Sequence, residues 1–169
     1  MNSSRNTVAG LIGRHCLKRH VQTVVCIAIL ATFPGLDFAH EHSGESTFWF
    51  GHPGNAVKVK RTIALSATDI KFAPLHITVT AGETVKFEIA NNGKLNHEFI
   101  LGSAPEQAEH DKEMAAMAGM KMTHTNGVSM APGKTGMLIW TFTKPGTLQY
   151  ACHVPGHYAA GMVGQLTIE

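Results

Sequence analysis

The stretch Tyr150-Ala151-Cys152-His153-Val154-Pro155-Gly156-His157-Tyr158-Ala159-Ala160-Gly161-Met162 decides how this chain is read. Four residues separate Cys152 from His157, and four more separate His157 from Met162. A thiolate, an imidazole and a thioether thus share one loop, ahead of a final apolar run. Cysteine sulfur and histidine nitrogen in a trigonal plane, with a weak axial methionine, is the donor set that holds copper in blue electron-transfer centres. The plane takes a second histidine from elsewhere in the chain. His97, in Asn96-His97-Glu98-Phe99-Ile100-Leu101, is the best candidate because it opens an apolar, strand-like run that the fold has to bring in.

Upstream, the chain reads Phe72-x-Pro74-x-x-Ile77-x-Val79-x-x-Gly82-Glu83-Thr84-Val85-x-Phe87-x-Ile89-x-Asn91, followed by His97. With the loop, this pattern resembles the cupredoxins, small one-copper proteins, from about Thr62 to Glu169. The resemblance implies an all-β Greek-key sandwich or barrel holding one type 1 copper through His97, Cys152, His157 and Met162. Cys152 would carry the covalent coupling, His97 and His157 would hold the plane, and Met162 would tune the potential through a long axial contact. Gly156 and Gly161 let the loop bend, and Pro155 stiffens it. Many cupredoxins carry Asn or Ser directly after the upstream histidine, where this chain has Glu98.

Copper enzymes of related sequence are excluded by one position. Multicopper oxidases and copper nitrite reductases need a histidine directly before the cysteine, and this chain has Ala151. A binuclear purple-copper centre needs two loop cysteines, and the loop has Cys152 alone. No open-coordinated metal or acid–base constellation is visible, so a non-enzymatic protein is expected. Strand alternation points His153 away from the metal, and it is expected to be exposed.

The N-terminal segment reads as an export signal over residues 1–39: Arg5, Arg14, Lys18 and Arg19, then apolar Val21 to Ala31, then Pro34-Gly35 and Ala39. Its apolar run is too short to span a bilayer. Cys16 and Cys26 would leave with it, so the mature chain would keep a lone cysteine that metal ligation explains. The 169-residue precursor carries a formal charge of +2, and losing four basic residues and one acidic one brings this to about −1. No basic patch interleaved with aromatics occurs, which argues against nucleic acid as a partner. The expected location is the periplasm, for a monomer with no stable membrane span.

Residues 40–57 combine Gly, Ser, His and Glu with Phe48-Trp49-Phe50 and lack periodicity, which predicts a flexible His-bearing arm. Residues 58–169 then form the single cupredoxin-like domain. Period-two patterns predict about eight strands, at 58–68, 75–79, 84–89, 97–101, 128–131, 136–142, 147–152 and 162–168. Pro105 to about Lys121, rich in Ala, Glu and Met, predicts one short helical insertion.

That insertion carries soft ligands a plain electron shuttle does not need. His110, Met114 and Met117 share a helical face, with Met120, Met122 and His124 following. They read either as a Cu(I)-loading surface or as a face packed on the sandwich. His40 and His42 at the new N-terminus, with His52 nearby, form a second candidate accessory copper site. Together these features point to an exported type 1 copper protein that cycles Cu(I)/Cu(II) by one-electron transfer and serves periplasmic copper handling. Its partner would be a redox or copper-donor/acceptor protein. A dedicated soluble electron carrier, similar to rusticyanin or auracyanin, is the alternative.

Overall fold

The structure, a computed structural model, describes residues 48–117 and 122–169. The leader, its cleavage after Ala39, and His40, His42 and Met120 therefore lie outside the described residues.

Ten strands and one α-helix are present among the described residues: β1 (Gly51–Pro53), β2 (Arg61–Thr68), β3 (Lys71–Ala73), β4 (His76–Val79), β5 (Thr84–Asn91), β6 (His97–Gly102), α1 (Ala104–Ala116), β7 (Gly127–Met130), β8 (Thr135–Phe142), β9 (Gly146–Ala151) and β10 (Val163–Ile168). They form two five-stranded sheets, in the orders β1-β8-β5-β2-β3 and β4-β10-β9-β6-β7. The architecture is an all-β sandwich and not a closed barrel. Alternation explains the first sheet, since Val85, Phe87 and Ile89 of β5 are fully buried while Lys86 and Glu88 between them pair with each other at 2.7 Å. Trp140 and Phe142 of β8 and Leu65 and Ala67 of β2 add to the same core. Burying each large apolar side chain contributes roughly 1.5–3 kcal/mol.

Two short strands escaped the period-two pattern because three residues hold too little of it. One of them corrects the arm. Residues 48–57, expected to be flexible, are tied to the sandwich: β1 pairs with β8, Gly51 opposite Phe142, and Phe50 is fully buried. Its ring lies 5.4 Å from that of Trp140. Burial of an aromatic outweighs the chain entropy that polar composition alone would favour.

β6 departs from alternation in a way that matters for the site, because all six of its residues are buried. His97, Phe99 and Leu101 face the sandwich interior, whereas Glu98 and Ile100 lie on the outer face. That face is covered by α1. Ser103 caps the helix, with its side chain and that of Glu106 each accepting from the other's backbone N–H. Gln107, buried on the first turns, donates from Nε2 to the carbonyls of Ile100 (2.7 Å) and Gln149 (3.2 Å), which docks α1 on β6 and β9.

Candidate metal centre

The antiparallel pairing of β6 with β9 brings the start of one strand beside the end of the other. His97 opens β6, and Cys152 follows the last residue of β9. The loop after Cys152 returns through His157 to Met162 and enters β10. Backbone bonds fold it tightly: His157 N–H donates to Val154 O (2.9 Å), Met162 N–H to His157 O (2.9 Å) and Cys152 N–H to Met162 O (3.2 Å). Gly156 and Gly161 take φ of +84° and +88°, the left-handed conformation in which a side chain is strained.

Among the described residues, His97, Cys152 and His157 form the one group that offers a ligand atom each within 4.8 Å of one another. Cys152 Sγ lies 3.8 Å from His97 Nδ1 and 3.4 Å from His157 Nδ1. Metal–nitrogen and metal–sulfur bonds of about 2.0 and 2.3 Å at trigonal angles set nitrogen and sulfur about 3.7 Å apart. The spacing thus fits a shared ion. Cys152, His97 and Met162 are fully buried and His157 is 5% exposed, so the donors are shielded from water. Cys152 carries no disulfide, and burial pushes its thiol up to about 11. Burial and the neighbouring His97 push His157 down, which favours the neutral, ligating imidazole.

Supporting contacts that sequence reading missed surround these donors. The backbone N–H of Glu98 donates to Cys152 Sγ at 3.3 Å, a bond that needs no particular side chain at that position. Asp69, in the turn after β2, accepts from His97 Nε2 at 3.0 Å. That bond leaves Nδ1 with a lone pair facing Cys152. Asp69 is itself gripped by the backbone N–H groups of Lys94 and Leu95; those bonds, more than its contact with His97, hold its carboxyl below the usual range. Gly93 makes this approach feasible, since a Cβ there would stand 2.1 Å from Asp69 Oδ1 and 2.9 Å from His97 Nε2. Asn91, 1% exposed, donates from Nδ2 to Leu95 O (2.8 Å) and Met130 O (3.0 Å) and so fixes the segment leading into His97. No spacing rule links Asp69 to His97, which is why Asp69 was not legible as its partner.

The remaining candidates do not join this group. His153 is not exposed: it is fully buried under α1, its Nε2 2.6 Å from Gln107 Oε1 and its ring stacked on Tyr158. Burial, followed by the proximity of His110, pushes it down to about 4 against the pull of Asp111. His110 lies between His124 and His153, with ring centroids at 4.8 and 4.6 Å. Met114 is buried on the same helix, Met117 ends it half-buried, and Met122 is exposed. His52 sits on β1 at the far edge of the first sheet, with its Nδ1 2.9 Å from Pro53 O.

Comparison with known proteins agrees with this geometry. A family model described as copper binding proteins, plastocyanin/azurin family, matches residues 57–169. The chain belongs to the plastocyanin/azurin family of copper-binding proteins. It is 38% identical over 156 residues to a copper-resistant cuproprotein, CopI, of Rubrivivax gelatinosus, covering 86% of this chain and 94% of that one. A Pseudomonas aeruginosa protein of the same name is 42% identical over 149 residues, covering 71% and 82%. Among solved structures, reduced auracyanin from Roseiflexus castenholzii superposes with a TM-score of 0.59 at 24% identity, over 66% of this chain and 98% of that one, a likeness of fold. Cupredoxin membership makes copper the ion that fits the His97, Cys152 and His157 cluster, with Met162 buried nearby, and copper supplies a reversible one-electron couple when bound.

Proposed function

We propose that this cupredoxin is exported and serves copper tolerance in the periplasm, taking up and passing on single electrons at the site formed by His97, Cys152, His157 and Met162. The observation that carries this reading is the joint presence of a buried Cys–His–His cluster and near full-length similarity to proteins named for copper resistance. The chain's own residues define the chemistry. With copper bound, Cys152 would supply a thiolate in a dry environment and His97 and His157 would supply imidazole nitrogens, while the hydrogen-bonded loop and Asp69 hold these side chains in place. A rigid donor set keeps reorganisation small when an electron moves, which speeds transfer.

A soluble donor or acceptor protein in the same compartment would exchange electrons or copper with a monomer of this chain. The His and Met residues of the arm and of the 110–124 segment are proposed to enlarge its capacity for copper beyond one ion. Deleting the gene and challenging cells with copper tests the reading. Reduced growth in copper is expected, whereas unchanged tolerance with a respiratory defect would favour a dedicated electron carrier.

A further inference from the structure

A second cluster lies on the outer face of the sheet whose inner face holds the site just described. It is built from both layers. His110 comes from α1, His124 from the segment before β7, and His153 and Glu98 from the sandwich itself. Each of the four presents a buried polar atom with no hydrogen-bond partner: His110 Nε2, His124 Nε2, His153 Nδ1 and Glu98 Oε2. Orphaned buried polar atoms are rare, and four in one neighbourhood call for an explanation.

The opposite atoms of His153, Glu98 and His110 are engaged, as they would be if orienting the free ones. His153 Nε2 is held by Gln107 Oε1 at 2.6 Å, and Glu98 Oε1 accepts from Ser129 at 3.2 Å. His110 Nδ1 faces Glu113 at 3.5 Å. Asp111 Oδ1 stands 3.6 Å from His153 Nδ1, beyond a good hydrogen bond but near enough to favour positive charge there. A histidine whose one nitrogen is fixed by a carbonyl or carboxylate and whose other is free is the usual form of a metal ligand. A cavity of about 220 Å³ lined by Gln107, His110, His124 and Asn126 offers an entry.

We propose that His110, His124, His153 and Glu98 form a second metal site that takes a cupric ion. Three imidazoles and a carboxylate are borderline-to-hard donors, and among divalent ions of the first transition row such donors bind Cu(II) most tightly. The site differs from a thioether surface for Cu(I), because it uses none of Met117, Met120 or Met122. Its nitrogens are not yet gathered as tightly as those of His97 and His157, so the rings must turn inward as the ion enters. Two of its members adjoin ligands of the first site in sequence, Glu98 after His97 and His153 after Cys152. Occupancy of one site should therefore be felt at the other. The inference does not depend on a tolerance role.

The test is a titration of the full chain with Cu²⁺ alone, followed by visible absorption and EPR. The first equivalent should build the thiolate-to-copper band. A second should add a cupric EPR signal with imidazole nitrogen coupling and no further band intensity. In His110→Ala/His124→Ala the second equivalent should be lost while the band remains, which also shows that the variant folds. Should the double variant lose the band, His124→Gln alone, in a segment outside the sheets, is expected to give the same selective loss. A second equivalent that survives these changes, or that vanishes instead in His40→Ala/His42→Ala, would overturn the proposal. Absence of the band in the parent chain would speak against the first site and not this one.

Discussion

His97 and Glu98 are neighbours in sequence, as are Cys152 and His153, yet each pair is split between two faces of one sheet. The inner partners, His97 and Cys152, look into a closed corner between the sheets, where His157 joins them and every donor is positioned by strands and by a short hydrogen-bonded loop. Glu98 and His153 look outward beneath α1, where half of the cluster comes from a helix and a connecting segment. The inner site is assembled by the sandwich core, and the outer one depends on a helix docked through Gln107. Identical strands thus carry one rigid site and one adaptable one.

The largest effect that separates the two faces is expected from Cys152→Ala. The thiolate-to-copper absorption should disappear entirely, while Cu²⁺ uptake by the outer cluster persists in EPR; loss of both would show that the faces are not separable. Next comes proton linkage. In the metal-free protein the thiol is held protonated to about 11, so copper binding at neutral pH displaces its proton. Copper affinity at the inner site should rise about tenfold per pH unit and level off as pH passes the thiol's pKa. Competition titrations against a chelator of known pH dependence check the slope, and a flat profile would mean that no thiolate forms.

Asp69→Asn should have a smaller effect, because the amide still reaches His97 but no longer carries charge. An outer partner of this kind is worth about 10–100-fold in metal affinity. The change should appear as weaker copper retention and a shifted reduction potential, with the visible band kept; an unchanged potential would remove Asp69 from the site. Gln107→Ala strips two buried carbonyls of their donor and should lower stability by about 1–3 kcal/mol, measured by denaturant unfolding. The inner site's absorption should be retained. Ser103→Ala, which removes half of the capping box, should cost about 1 kcal/mol and act on the outer face alone.

The inner site was legible because three of its four ligands sit on one loop at fixed spacing, and because His97 opens a recognisable strand. Fold class was legible for a similar reason, since runs such as Thr84 to Asn91 alternate cleanly with one face buried. β6 hid its outer face. A strand covered on both sides reads as a continuous buried run, so nothing in His97-Glu98-Phe99-Ile100 marked Glu98 as buried or His153 as its companion. The Phe48–Phe50 segment misled through composition, because three aromatics among glycines and histidines give no period and the presence of Trp140 on the paired strand gives Phe48 and Phe50 a place to pack.

The amino-acid sequence by itself determined the sandwich and the order in which the candidate copper donors occur along the chain, because ligand chemistry and period-two burial are local properties of residue type and spacing. Tertiary structure alone decided that Asp69 orients His97 and that His110, His124, His153 and Glu98 share one buried neighbourhood. Those contacts join residues some 14 to 43 positions apart through sheet register and helix docking, and no local pattern encodes them.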